Sequence, residues 1–352
     1  METKNRWGIL VVASLLVSGC TQMNDLAALD GGAPDTFVPA DQVVIPPLDG
    51  KVPDPDQWQP PTPDLMPWPD KFIPKDVQIN KCAPAASRTC PYTGPAGTEG
   101  KGVCQAGIQT CIDPAKGLWG TCTGEVTPKF DDCDGLDNDC DGKADELCSS
   151  LVLHLTGDTK GSGINIYAED KSGKAHHGTP MPYLKGPTSV PGKVGKAFSL
   201  NGIDQYVKVA DHVDFQAMKS GFTVMAWARW TTVGERRYVF HKLDDQPGIF
   251  SYYGSMRFFI DQKGNGITTG KVVTNTWIHL AMVYNGSTLT AYIDGIAVSK
   301  TITSSPGGEI KVGGDGVTGR YFEGLIDEVM VYTTPLSAAE VKLYIASTAG
   351  SP

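Results

Sequence analysis

An all-β fold, a single large antiparallel sandwich, is predicted for residues 151–346, and three observations predict it. Short apolar or alternating runs recur at 151–155, 196–200, 205–209, 222–230, 237–242, 256–260, 277–284, 288–293, 296–301, 309–312 and 326–332, with Gly-, Asn- and Asp-rich turns between them. None of the chain's 9 cysteines lies beyond Cys148, so this part must fold by burying apolar surface. Within it, Trp277–Gly295 reads as a hairpin at the centre of a sheet. Trp277, His279, Ala281 and Val283 alternate with Ile278, Leu280, Met282 and Tyr284, Asn285-Gly286-Ser287 turns the chain, and Leu289, Ala291 and Ile293 line the returning strand up to a second turn at Asp294-Gly295.

The rest of the 352 residues precede that sandwich. A total of 41 Gly and 25 Pro is poor material for long helices. A formal charge of −9, with no Lys/Arg cluster, excludes nucleic acid as a partner.

Residues 1–19 have the pattern of an export signal. Lys4 and Arg6 precede an apolar run, Trp7 to Val17, that is too short for a comfortable membrane span and ends at small residues. Val17-Ser18-Gly19-Cys20 resembles the bacterial lipobox. The resemblance implies cleavage before Cys20, lipidation of its thiol and stable anchorage in a membrane. Thr21, in place of Asp, implies delivery to the outer membrane, facing the periplasm or the cell surface.

Residues 20–81 read as a disordered tether. Positions 24–81 hold 12 prolines, many followed by Asp (Pro53-Asp54, Pro55-Asp56, Pro63-Asp64, Pro69-Asp70), which bars regular helix and leaves little apolar area to bury. At about 3 Å per residue in polyproline geometry, the tether reaches on the order of 100 Å.

Residues 82–150 form a cysteine-rich module. Cys82, Cys90, Cys104, Cys111, Cys122, Cys133, Cys140 and Cys148 fall among Gly and Pro with little apolar periodicity, which reads as four disulfides in one of 105 pairings. The absence of histidine between 82 and 148 counts against zinc.

The end of this module, DDCDGLDNDCDGKADE, carries calcium-loop spacing. Asp137, Asp139, Asp141 and Asp145 fall at positions 1, 3, 5 and 9, Gly142 at 6, and the Lys143 carbonyl is available at 7. Cys148 occupies position 12, where a bidentate carboxylate is usual, so Glu146, Asp134 or Asp132 would have to substitute. The alternative is a solvated acidic disulfide loop. With Trp119 and Cys122 ahead of it, the motif resembles the Asp-rich metal-binding repeats of secreted deltaproteobacterial proteins and, more distantly, a thrombospondin type 3 repeat. The cofactor this implies is Ca2+.

In the large domain, Ser337 and Glu340 are spaced as a capping box for a short helix whose Val341, Leu343 and Tyr344 can cover an edge of the sandwich, with 347–352 as a tail. Five pieces, EDKSGKAHHGT (169–179), GKAFSLNGIDQYVKV (195–209), GFTVMAWARW (221–230), NTWIHLAMVYNGSTLTAYIDG (275–295) and FEGLIDEVMVYTTPLSAAEVKLY (322–344), occur in an order that resembles the laminin-G-like, concanavalin-A-like jelly roll. The resemblance implies two antiparallel sheets, a binding or adhesion role, and structural calcium. It offers Asp170 and Asp327 as ligands. Simple alternation puts Asp327 on the side of Val329 and Val331, where it needs a cation or hydrogen bonds.

A glucanase of this fold would show a Glu-x-Asp-x-x-Glu strand with its carboxylates about 5 Å apart. The chain has no such spacing. Glu323, Asp327 and Glu328 come nearest, but alternation separates 323 from 328. His176-His177 reads as part of a polar loop, with a metal or acid-base pair as the alternative, and His279 as a core or sheet-face histidine. The expected function is therefore non-catalytic: a lipoprotein displaying a lectin-like domain for carbohydrate or glycoprotein, with Trp230, Tyr252, Tyr253 and Tyr321 as stacking candidates. The alternative is an adhesion protein that binds another envelope or extracellular protein without sugar recognition, and a hydrolase comes third.

Overall fold

The computed structural model describes residues 82–242, 247–261, 265–302, 310–317 and 319–350. The described residues all belong to one compact unit. The signal peptide, Cys20 and the tether expected at 20–81 lie outside the described residues.

The sandwich is a jelly roll of two antiparallel sheets. One runs Ile296–Thr301, Thr288–Ile293, Ile278–Tyr284, Phe222–Trp230, Glu323–Tyr332, Leu151–Lys160, Tyr167–Asp170, with Lys196–Asn201 and Thr188–Pro191 continuing from the first half of Glu323–Tyr332. The other runs Gly266–Lys271, Ser255–Phe259, Gly248–Tyr252, Arg237–Lys242, Ile310–Val312, Tyr206–Val209, Thr179–Met181. Between them lies a core that includes Phe198, Phe222, Trp230, Phe240, Phe258 and Phe322. The predicted strands are present with bounds moved by a few residues. Gly248–Tyr252 and Gly266–Lys271, the latter Thr- and Gly-rich, were not foreseen, nor were Tyr167–Asp170, Thr179–Met181 and Thr188–Pro191.

The Ile278–Tyr284 strand is apolar on both faces because both are covered, and all seven of its residues are buried. Ile278, Leu280, Met282 and Tyr284 face the sandwich core. Ala281 and Val283 join a second cluster with Met225, Trp227, Met330 and Tyr332 on the outer face of the sheet. The helix Ala338–Thr348 covers that outer face with Val341 and Tyr344, so it lies on the face of a sheet rather than at an edge of the sandwich. Its capping box is formed as expected by Ser337 and Glu340, and it runs on through residues 347 and 348. Asn285 Oδ1 takes the amides of Ser287 and Thr288 at the first turn, and Asp294 and Gly295 both adopt left-handed backbone at the second.

The cysteine-rich part carries a small sheet of Ser87–Thr89, Ile108–Asp113 and Leu118–Trp119. Four disulfides tie it together: Cys82–Cys111, Cys90–Cys122, Cys104–Cys140 and Cys133–Cys148. Its Phe130 joins the outer-face cluster beneath the helix.

One irregularity redirects two carboxylates. Met225 pairs with Met330 but Trp227 with Asp327, so the Glu323–Tyr332 strand holds an extra residue at Glu328, whose φ of 51° is left-handed. Ile326 and Val329 therefore both face the core. Asp327 does not share the side of Val329 and Val331, as alternation implied. It lies opposite Trp227 on the outer face, because the bulge breaks the period of two.

Candidate functional site

Three polar assemblies stand out, and the first is a cleft on the free face of the second sheet. Tyr238, Phe250 and Phe259 alternate outward from adjacent strands, with Tyr238 and Phe250 stacked at 4.9 Å and Phe250 and Phe259 edge to face at 5.4 Å. With Arg236, Arg257, Asp261 and Thr268 they line a space of about 230 Å³. The Arg236 guanidinium lies 5.8 Å from the Phe250 ring centre and that of Arg257 lies 4.7 Å from Tyr252. The Nε atoms of both arginines are buried without a hydrogen-bond partner among the described residues. Burial pushes the Tyr238 hydroxyl above its ordinary pKa, so it is held as a neutral donor.

The stacking candidates divide. Tyr253 is 67% exposed and edge to face with Tyr252 at 4.8 Å. Trp230 is not a surface residue: it shares the inward parity of Val224, Ala226 and Ala228, is fully buried, and donates from Nε1 to Ser251 Oγ at 3.1 Å. Tyr321 is likewise buried, stacked on Tyr206. Sequence reasoning missed Tyr238, Phe250 and Phe259. Their outward alternation was the available signal, but an apolar outward residue reads as core until the facing layer is known.

The second assembly is the acidic loop. Carboxylate oxygens of Asp131, Asp137 and Asp139 lie within 4.8 Å of one another, as do those of Asp139, Asp141 and Glu146, so Asp139 belongs to both groups. Asp137 Oδ2 accepts from Gly142 N at 3.0 Å, closing the turn at a glycine whose φ of 105° suits no other residue. Asp139 Oδ1 accepts from Asp141 N, and Asp141 Oδ1 from Lys143 N. Asp145 Oδ2 accepts from Gly135 N at 2.6 Å. Its Oδ1 and that of Asp137 are buried with no partner among the described residues. Burial first, opposed by the Asp141 amide and then reinforced by the neighbouring aspartates, raises the Asp139 carboxyl, and burial likewise raises Glu146. Crowded hard oxygens, two of them orphaned, are a donor set that fits Ca2+.

Asp134, a candidate for position 12, lies outside both groups, and its Oδ1 accepts from Leu136 N and Asn138 Nδ2. Asp132 lies outside both groups and is raised by burial. Asp131 was missed because it lies six residues ahead of position 1. It is buried, and its Oδ1 takes the amides of Asn138 and Asp139.

The third assembly gathers the isolated acids of the jelly roll. Asp170 accepts four donors, from His154 N and Ser172 N on Oδ1 and from Ser172 Oγ and His176 N on Oδ2. Asp327 accepts from Lys193 N and Val194 N on Oδ2, each at 2.9 Å, and from Glu328 N on Oδ1 at 2.8 Å. Burial nevertheless pushes its carboxyl up to about 8, against the pull of those amides. Neither acid belongs to a three-ligand group. The bulge also removes the alternation that separated Glu323 from Glu328, and each has its own partner: Glu323 takes Thr232 Oγ1 at 2.6 Å, whereas Glu328 Oε2 meets His154 Nε2 at 2.8 Å and Tyr344 Oη at 3.1 Å. His177 Nδ1 accepts from Asp170 N, while His176 turns away toward Asp214. His279 is enclosed by Trp227 and Tyr344, and neither ring nitrogen has a partner among the described residues.

Residues 201–342 match the profile of the concanavalin A-like lectin/glucanases superfamily. Among solved structures, the binding domain of Paraclostridial mosquitocidal protein 1 aligns with 18% identity and a TM-score of 0.48, over 57% of this chain and 53% of that one. Domain 4 of a GH43 extracellular arabinanase from Geobacillus stearothermophilus, in complex with arabinotriose, aligns with 21% identity and a TM-score of 0.44, over 55% of this chain and 97% of that one. The binding domain of botulinum neurotoxin DC in complex with SialylT aligns with 13% identity and a TM-score of 0.44, over 58% and 52%. The chain thus spans about half the length of the toxin binding domains it resembles. No curated protein matches it.

Proposed function

We propose that this is a non-catalytic, lipid-anchored envelope protein whose jelly roll binds carbohydrate or glycoprotein in the cleft on the second sheet. The observation that carries this reading is the stacked set Tyr238, Phe250 and Phe259 beside two arginines with buried, unpartnered Nε atoms. Tyr238 and Phe250 are only 2% and 7% exposed and form the floor of the cleft, so the half-buried Phe259 is the ring that meets the apolar face of a sugar, and the guanidinium groups take its hydroxyls or an attached carboxylate. The superfamily match over 201–342 supports the reading, as does the cover that helix and cysteine-rich segment place over the other sheet. Anchorage rests on the lipobox-like Val17 to Cys20, with the 20–81 tether holding the domain off an outer membrane. Ca2+ bound by Asp137, Asp139, Asp141, the Lys143 carbonyl and Asp145, joined by Asp131 and Glu146, orders the acidic loop.

A glycan array probed with the purified protein in Ca2+ and again in EDTA tests the sugar reading, and complete silence in both conditions sinks it. A second reading, capture of a protein partner, is favoured by exposed Val233, Tyr253 and Val273. Hydrogen bonds from Tyr253 N to Gly234 O and from Val272 N to Gly254 O bring their loops to one end of the sandwich.

A further inference from the structure

His176, His212 and Asp214 come together on the jelly roll, far in sequence from the acidic loop. His176 sits in the turn after Tyr167–Asp170, its amide fixed by Asp170 Oδ2 and its ring against Phe215 at 5.0 Å. The side chain is only 10% exposed. His212 precedes the short helix Val213–Lys219, whose first turn contains Asp214, and its ring lies 4.3 Å from that of His176. Asp214 Oδ2 is 2.8 Å from His176 Nε2 and 3.3 Å from His212 Nδ1.

Asp214 Oδ2 faces both ring nitrogens, and His212 Nδ1 can either accept the Asp214 amide or carry a proton toward the carboxylate, each at 3.3 Å. A cation among the three atoms takes the place of that proton, at the loss of one long amide contact.

We propose that His176 Nε2, His212 Nδ1 and Asp214 Oδ2 form a binding site for a borderline transition-metal dication, Zn2+ being the best match. Bonds of about 2.0–2.1 Å in tetrahedral geometry put ligand atoms roughly 3.3 Å apart. Of the three separations, that between Asp214 and His212 equals that spacing, that between Asp214 and His176 needs to open by about half an ångström, and the two ring nitrogens lie within 4.8 Å of each other. Two imidazoles and one carboxylate select Zn2+ or its neighbours over Ca2+, which prefers oxygen. Asp170 acts one shell out, since it fixes the backbone that presents His176. The fourth position is open to water or a donor group of a bound molecule. This site stands independently of the glycan reading and of the acidic loop.

The test is a titration of the purified full-length protein with Co2+ in excess Ca2+, read as visible d–d absorption, followed by displacement with Zn2+. Intense bands of a four-coordinate ion, micromolar or tighter Zn2+ affinity, and a loss of at least about 10-fold in His212→Ala and in Asp214→Asn are expected. Because His176→Ala can loosen its turn, the exposed His212→Ala is the deciding variant, with its melting temperature in EDTA confirming an intact fold. Absence of the bands, or unchanged Zn2+ affinity in folded His212→Ala, overturns the site.

Discussion

The amide of Phe130 donates to Ser347 Oγ at 2.8 Å, joining the cysteine-rich segment to the last turn of the C-terminal helix across 217 positions. The Phe130 ring meets Tyr344 edge to face at 5.3 Å and Tyr332 at 6.5 Å. The helix and the disulfide-tied segment therefore share one apolar layer over the outer face of the sheet. Phe130→Ala should cost about 3–5 kcal/mol, and Ser347→Ala about 1 kcal/mol. Equilibrium denaturation with the disulfides intact measures both. A Phe130→Ala loss below about 1 kcal/mol would mean the layer contributes little.

Asp327 tests whether a buried carboxyl is holding backbone or metal. With its pKa near 8, the group is largely protonated at pH 7, and asparagine is its near isostere. Asp327→Asn can keep its oxygen on the amides of Lys193 and Val194 but turns an NH2 donor toward the Glu328 amide and should cost about 1–3 kcal/mol, whereas Asp327→Ala orphans all three amides and should cost about 3 kcal/mol or more. The sign in pH is opposite to that of an ordinary paired carboxylate. The raised folded pKa means stability from this group is full below about pH 3.8 and declines as pH rises through about 8. Urea midpoints in EDTA and in Ca2+ decide the matter. A calcium-induced shift that vanishes in Asp327→Asn would make the residue a ligand after all.

The acidic loop gives a contrast between two neighbouring aspartates. Asp131 shares a group with Asp137 and Asp139, while Asp134 belongs to neither group. Calorimetric titration of the full-length protein with Ca2+ should show Asp131→Asn weakening binding as much as Asp139→Asn, by about 10-fold or more, with Asp134→Asn close to wild type. Equal losses at 131 and 134 would return the choice of ligands to sequence spacing alone.

These contrasts mark where the sequence was legible. Strand periodicity, the capping box at Ser337 and the turn at Asn285 are local, and local chemistry announces them. The side on which Asp327 lies depends on a single extra residue at Glu328, and alternation carries no sign of it. Trp230 and Tyr238 are both large aromatics on strands. Which faces a cleft and which the core is decided by the layer opposite, which no strand specifies by itself. Asp131 was hidden for a related reason, since disulfides and a buried Phe130 fold it back onto a loop motif that begins six residues later. Within the acidic loop Asp139 groups with Asp137 on one side and with Asp141 on the other, because an Asp-x-Asp-x-Asp-Gly turn is short enough to fix its own geometry.

His279 supplies a pH signature opposite in sign to that of Asp327 over the same window, so it is read as a difference between variant and wild type. Burial alone pushes its imidazole down to about 3, and neither nitrogen has a partner among the described residues. The unfolded chain takes up a proton near pH 6.5 that the folded state refuses until about 3. Stability from this group is therefore intact above 6.5 and falls by about 1.4 kcal/mol per unit through that window. In His279→Leu the penalty is gone, while the amide of residue 279 can still bond Asp294 Oδ1. At pH 7 the variant and the wild type should differ little. At pH 5 the variant should gain about 2 kcal/mol relative to the wild type, read as a smaller drop in denaturation midpoint between the two pH values. An identical drop in both proteins would mean that the buried ring accepts its proton without unfolding the sheet.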